Sequence, residues 1–113
     1  MIKLFLIFAI LPLFLSAQTM DIYYSSTCDT SYKARNFIAD ELKRDYPNLK
    51  VVEHDIFEKK EGKKMKEIGR RFKIRRLSVP LVVVDDYEYI SGYICERTTG
   101  LAYRDSLDNV LYP

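Results

Sequence analysis

The spacing of apolar residues after position 18 predicts a strand followed by a long amphipathic helix. The segment "MDIYYSS" (20–26) is rich in aromatic and β-branched residues, which favour a half-buried strand. From Ser31 the apolar residues recur at steps of three and four, which is typical of a helix with one buried face. Pro47 and Asn48 end this pattern. The apolar face comprises Ala34, Phe37, Ile38, Leu42 and Tyr46.

Five further elements follow along the chain. A valine-rich strand precedes a lysine-rich segment in which Met65, Ile68 and Phe72 form one narrow helical face. Two strands then meet at an Asp85-Asp86 turn, which predicts a hairpin, and the apolar residues of the tail indicate a closing helix. The predicted elements are residues 49–57 (strand), 58–74 (helix), 81–84 (strand), 87–94 (strand) and the tail from about Thr98 (helix).

The resulting order is β-α-β-α-β-β-α. A strand–helix–strand unit favours a parallel pair with a right-handed crossover, whereas the later hairpin is antiparallel. The sequence therefore predicts an α/β fold with a small mixed sheet flanked by helices.

Residues 1–17 have the layout of a secretory signal peptide. Lys3 supplies the positive charge, Leu4 to Leu15 the apolar segment, and Ser16-Ala17 a cleavage site with small residues. An uncleaved membrane anchor is the alternative, although the apolar segment is shorter than the roughly 20 residues of a typical span. We expect cleavage, no stable membrane insertion afterwards, and an exported protein that is periplasmic or secreted. Residues 18–113 then form a single small domain.

The charge balance excludes some partners. The formal net charge is +2, with 18 basic and 16 acidic residues. So small an excess gives no argument for binding nucleic acid. We expect a monomer that binds no nucleic acid.

Cys28 stands where the first helix is expected to begin. Unpaired N–H groups and the helix dipole at this position favour a thiolate, and hydroxyl groups on Thr30 and Ser31 add potential hydrogen bonds. The Asp29 carboxylate opposes ionisation. We therefore expect a modestly activated thiol, with Thr27 or Asp29 as the helix N-cap.

Two motifs in this order resemble those of the thioredoxin fold, in particular its glutaredoxin-like members. Cys28-Asp29-Thr30-Ser31 resembles the C-x-x-C box of that family in its single-thiol, C-x-x-S form. The segment "FKIRRLSVPLVVV" is similar to its helix, loop, cis-proline and buried strand, with Pro80 at the proline position. The resemblance extends from about residue 20 to about residue 110. It implies a thioredoxin-like three-layer fold.

The resemblance also implies a function, thiol–disulfide exchange on protein disulfides or glutathione adducts. Cys28, Ser31 and Pro80 would form the catalytic site, and Thr30, Arg76 and Val79 would bind substrate. Because the serine cannot act as a second thiol, Cys95 or a separate molecule such as glutathione would resolve the mixed disulfide. No bound cofactor is implied, and glutathione would act as a co-substrate.

Two other interpretations of the fold and its cysteines remain open at this stage. The fold could serve a non-catalytic binding module, or Cys28 and Cys95 could form a structural disulfide. His54 is the only histidine, and with two cysteines it makes no recognised metal site, so we expect it to be structural or on the surface. The lysine-rich run 59–66 is expected to be a solvated helix entrance, and an anion-binding or membrane-surface role is the alternative.

Overall fold

A computed structural model describes the chain from Gln18 to Leu111, so the predicted signal peptide (1–17) lies outside the described residues. All four predicted strands are present, with bounds that differ from the predicted ones by at most three residues at either end. The strands are Thr19–Tyr24 (β1), Lys50–Asp55 (β2), Leu81–Val84 (β3) and Glu88–Ser91 (β4).

The three predicted helices are also present. Helix α1 comprises Asp29–Phe37, a π-helical turn at Ile38–Leu42 and a final turn at Lys43–Asp45. Helix α2 is Lys59–Arg71. A π-helical turn at Glu96–Gly100 leads into helix α3, Leu101–Leu111. The β-α-β-α-β-β-α order is therefore confirmed.

The strands form one mixed sheet in the order β2-β1-β3-β4. Strand β1 pairs with β2 in parallel and with β3 antiparallel, and β3 and β4 form the predicted hairpin. Residues of α1 and α3 pack on one face of the sheet and residues of α2 on the other, which gives three layers. This is the thioredoxin-like architecture that the sequence predicts.

Strand β3 shows why the sheet needs helices on both faces. All four of its residues are buried. Because successive side chains of a strand point to opposite faces, Val82 and Val84 join the core beneath α1 and α3, whereas Leu81 and Val83 join the core beneath α2. A continuous apolar run in the sequence thus corresponds to a strand covered on both sides.

The Asp85-Asp86 turn joins β3 to β4 as predicted. Both residues have positive φ angles, 50° and 57°. The register pairs Val84 with Glu88, so three residues connect the two strands. Positive φ at the first two of them is typical of a type I′ turn, and aspartate tolerates this conformation better than most residues. The Asp85 carboxylate also accepts a 2.7 Å hydrogen bond from the Thr19 N–H, which anchors the turn to β1.

His54 links three elements in a buried polar contact that we name the His54 clamp (His54, Asp21 and Glu61). Its Nε2 lies 2.8 Å from Asp21 Oδ1 on β1, and its Nδ1 lies 2.5 Å from Glu61 Oε2 on α2. Each ring nitrogen therefore faces a carboxylate oxygen at hydrogen-bond distance. The ring also stacks on Tyr23 with centroids 4.3 Å apart. His54 therefore has a structural role, as expected.

Substitution of Glu61 by glutamine is expected to lower the free energy of unfolding at neutral pH. It should also make this free energy fall less as the pH is lowered. The hydrogen bond from His54 holds the pKa of Glu61 below its usual value of 4.5. The stabilisation from a carboxylate with a depressed folded-state pKa is present above its unfolded-state pKa and is lost as the pH falls through the folded-state value. Chemical denaturation between about pH 7 and pH 3 measures this dependence.

Glu67→Gln is the matched control, since Glu67 lies on the same helix but is exposed. It should leave the acid dependence of the parent protein unchanged. An identical acid dependence for the parent protein and Glu61→Gln would contradict the proposed role of the clamp.

Candidate active site

Cys28 is the residue that begins helix α1. It takes the N-cap position with extended backbone angles, φ −98° and ψ 122°. Its N–H donates a 3.1 Å hydrogen bond to the Ser25 carbonyl, and its carbonyl accepts one from the Tyr32 N–H, also 3.1 Å. The backbone on both sides of the thiol is therefore fixed, and the predicted placement of Cys28 at the helix start is confirmed.

The predicted N-cap residues, Thr27 and Asp29, were wrong. Thr27 instead lies in the preceding turn, where its Oγ1 is 3.1 Å from the Ser25 Oγ. Asp29 is the first residue inside the helix, and its carboxylate forms a 3.4 Å salt bridge with Lys33 one turn further on. This neighbouring cation offsets the negative charge that was expected to oppose ionisation of the thiol.

The thiol of Cys28 is half-buried and surrounded by hydrogen-bond donors. Its Sγ lies 3.0 Å from the Thr30 Oγ1. The hydrogen bond with Thr30, followed by those from the Ser31 N–H and hydroxyl, lowers the pKa of Cys28 from 9.0 to about 7. These donors belong to the first turn of the helix, where backbone N–H groups have no partner within the helix. The geometry thus favours a thiolate at neutral pH.

Ser31 is fully buried beneath this turn. Its hydroxyl oxygen accepts a 3.3 Å hydrogen bond from the Ser25 N–H, across the turn that precedes the helix. The side chain thus has two roles, holding the turn and donating toward the sulfur of Cys28.

Pro80 lies at the same end of the sheet as Cys28. The register pairs Leu81 with Tyr23, so Pro80 stands opposite Tyr24, the last residue of β1. Cys28, the N-cap of α1, follows Tyr24 by four residues. The Val79–Pro80 peptide bond is cis, as the resemblance implies. Pro80 itself is fully buried, and its carbonyl accepts a 2.8 Å hydrogen bond from the Gly92 N–H.

Val79 lines a groove of about 570 Å³ between α2 and the segment before Pro80. We name it the α2 groove. Four of its residues are apolar: Ile56, Met65, Leu77 and Val79. Three lysines of α2 also line it: Lys59, Lys63 and Lys66. Arg76 is exposed and is not among the lining residues, so the structure does not place it with Val79 in this groove.

Cys95 is an exposed residue at the start of the last helical segment. It lines a different cleft, of about 450 Å³, together with Lys33, Phe37 and Glu41 of α1. Cys28 does not line this cleft, and both cysteines are free thiols. A hydrogen bond with Thr98 lowers the pKa of Cys95. The structure thus has two thiols at helix starts but does not bring them together in one cleft.

Sequence reasoning placed a solvated surface ahead of an anion-binding one for the run 59–66, because glutamates at 58, 61 and 67 dilute its charge. None of these glutamates lines the α2 groove. The spacing of Lys59, Lys63 and Lys66 at i, i+4 and i+7 could have revealed a single cationic face. Within residues 18–111 no cluster of acidic, histidine or cysteine side chains is arranged to hold a metal ion. None of the helices in that same range is long and apolar enough to cross a membrane.

Comparison with known proteins gives no family model and no curated protein that matches this chain. Among solved structures, it is 18% identical to a chain from work on the thiol resolving mechanism of yeast mitochondrial 1-Cys peroxiredoxin (77% of this chain, 74% of that one, TM-score 0.47). It is also 18% identical to oxidised mitochondrial thioredoxin 3 of Saccharomyces cerevisiae (82% and 85%, TM-score 0.46) and 11% identical to a malarial protein (79% and 96%, TM-score 0.46). Its own strand order and connections give the protein a thioredoxin-like fold.

Proposed function

We propose that the protein is an exported thiol–disulfide oxidoreductase that acts through one thiol, that of Cys28. The observation that carries this proposal is the state of that thiol. It is half-buried at the start of α1, 3.0 Å from the Thr30 hydroxyl, and its pKa is about 7. A substantial fraction is therefore thiolate at neutral pH, and the thiolate is the nucleophilic form of cysteine.

In the first step the Cys28 thiolate attacks one sulfur of a disulfide in the substrate. A new bond forms between Cys28 and that sulfur, the original sulfur–sulfur bond breaks, and the other sulfur leaves with the electron pair as a thiolate. Substrates of this kind are protein disulfides and mixed disulfides between a protein and glutathione. The product is a mixed disulfide on Cys28.

In the second step a separate thiol attacks the mixed disulfide and releases Cys28 as a thiolate. The Ser31 hydroxyl cannot serve, because it forms no disulfide. Glutathione or another small thiol is the resolving agent we propose, since Cys95 lines a cleft that Cys28 does not. The resolving thiol leaves joined by a disulfide to the sulfur that was bound to Cys28, and where that sulfur belongs to glutathione the product is glutathione disulfide.

The backbone next to Pro80 is the proposed substrate-docking edge. Val79 lies outside the sheet and lines the α2 groove at the end of the sheet where Cys28 is found. An extended substrate laid along this edge would bring its disulfide toward the thiol, as strand addition does in other peptide-binding proteins. Arg76 contributes at most through its charge, since it does not line the groove.

The rate at which iodoacetamide alkylates Cys28 is expected to follow a titration with a midpoint near pH 7. Thr30→Val removes the largest stabilising hydrogen bond and should raise this midpoint. Near pH 6.5 the variant should react about three to ten times more slowly, because a hydrogen bond to a charged group is lost. At high pH both proteins are fully ionised and their rates should converge. Quantitative mass spectrometry of the Cys28 peptide measures the reaction.

Thr98→Val is the matched control, because Thr98 bonds to Cys95 rather than to Cys28. It should leave the Cys28 profile unchanged. If Cys28 titrated like an ordinary cysteine, or did not react in the folded protein, the proposed function would be wrong.

A further inference from the structure

We propose that the α2 groove selects disulfide substrates whose cysteine lies beside an extended protein segment that alternates acidic and apolar residues. This inference rests on the proposed function, and it adds the class of substrate. The groove adjoins Val79, the docking edge described above.

The charges that line the groove are all positive. Lys59, Lys63 and Lys66 are exposed, and no salt bridge involves any of them within the described part of the chain. No acidic residue lines the groove. The groove thus presents cations that the protein itself does not neutralise.

The glutamates of α2 are directed elsewhere. Glu61 bonds to His54 and to Lys64. Glu67 lines a separate cleft that also contains Arg71 and Asp86. The helix therefore separates its charges, with Lys59, Lys63 and Lys66 on the side that faces the groove.

The groove also has an apolar component. Met65 is buried, Ile56 and Val79 are half-buried, and Leu77 is 36% exposed. Gly62 leaves the helix backbone bare here, and a Cβ at this position would lie 3.2 Å from the Ile56 carbonyl oxygen. A ligand that carried only charge would leave this apolar surface in contact with water.

The dimensions suit an extended chain. Lys59 and Lys66 are separated by about 10 Å along the helix, at 1.5 Å per residue. An extended peptide advances about 3.3 Å per residue and alternates its side chains, so acidic residues at every second position recur about every 6.6 Å. That spacing is close to the distance of about 6 Å along the helix between Lys59 and Lys63. Alternation places the acidic side chains toward the lysines and the apolar ones toward Leu77 and Met65.

A binding experiment on the full chain carrying Cys28→Ser separates this inference from the chemistry of the thiol. The probes are a fluorescent peptide that alternates glutamate with valine and the same peptide with glutamine in place of glutamate. Fluorescence anisotropy at low salt is expected to show about tenfold tighter binding of the glutamate peptide, with the difference shrinking as salt is raised. The result does not depend on whether Cys28 is reactive.

Two variants with equal loss of charge locate the binding site. Lys63→Gln with Lys66→Gln should weaken binding of the glutamate peptide by about fivefold. Lys50→Gln with Lys60→Gln removes the same charge from exposed lysines outside the groove and should change binding by less than about twofold. Glutamine preserves helix propensity at the three of these positions that lie on α2, whereas Lys50 is the first residue of β2.

Several outcomes would overturn the inference. These are equal binding of the two peptides, an equal loss in both double variants, or no binding at all. Displacement of the peptide by glutathione at equal concentration would instead assign the groove to a small thiol. If only vesicles of anionic lipid bound to it, the partner would be a membrane surface.

Discussion

Replacement of Cys28 by serine is expected to abolish thiol–disulfide exchange, with a loss of at least about 1,000-fold, because a serine hydroxyl is not a nucleophile at neutral pH and forms no disulfide. The fold should survive, since the side chain is half-buried and its helix-capping contacts are made by the backbone. The measurement is turnover of a mixed disulfide between glutathione and a peptide cysteine, with excess glutathione present. Circular dichroism confirms that the variant is folded.

Cys95→Ser provides the comparison, because it removes the second thiol from a different cleft. With excess glutathione it should turn over substrate at the rate of the parent protein. If Cys95→Ser lost the activity and Cys28→Ser kept it, Cys95 would be the nucleophile. If Cys95→Ser failed only when glutathione was withheld, Cys95 would be the resolving thiol.

Substitution of Ser31 by cysteine is expected to convert the site into one with two thiols. The Ser31 hydroxyl is a hydrogen-bond partner of the Cys28 sulfur, so a thiol at this position would stand close to the nucleophile. An attack within one molecule has an effective concentration of millimolar or more, so the mixed disulfide should no longer accumulate. We expect at least about tenfold faster reduction of a protein disulfide at limiting glutathione. Mass spectrometry should detect a bond between residues 28 and 31 in the oxidised variant.

Ser31→Ala is the control for this change. It loses the hydrogen bond from the Ser25 N–H and gains no thiol, so it should be less stable by about 1 kcal/mol and no faster than the parent protein. If Ser31→Cys folded but neither formed the bond nor gained activity, the site would not be arranged for exchange. The protein would then be better described as a binding module that keeps the fold.

The fold was largely predictable because its signals are local. Strand β3 is apolar throughout, and α1 repeats apolar residues such as Ala34, Phe37 and Leu42 at helical spacing. Each pattern predicts buried side chains within a short stretch of sequence, and the observed elements agree with both predictions. The position of Cys28 at a helix start was predicted from the same patterns. The helix cap was not predictable in this way, because Thr27 takes part in the preceding turn instead.

The features that were missed depend on contacts between distant parts of the chain. In the His54 clamp, His54 and Asp21 are 33 positions apart on neighbouring strands, and Glu61 lies on the following helix. Neither partner stands next to His54 in the sequence. That Lys59, Lys63 and Lys66 form no salt bridge among the described residues could be recognised only from the structure, which shows the contacts of Glu61 and the cleft that Glu67 lines. Likewise, only the structure shows that Cys95 lines a cleft that Cys28 does not.

The His54 clamp anchors the same helix that carries the three groove lysines. Acid would protonate Glu61 and loosen that anchor, protonate the carboxylates of an acidic substrate, and return Cys28 to its thiol form. Each of the three changes lowers activity, although they occur in different pH ranges. We therefore expect the protein to lose activity in an acidified compartment, first by loss of the nucleophile and then by loss of substrate binding and stability.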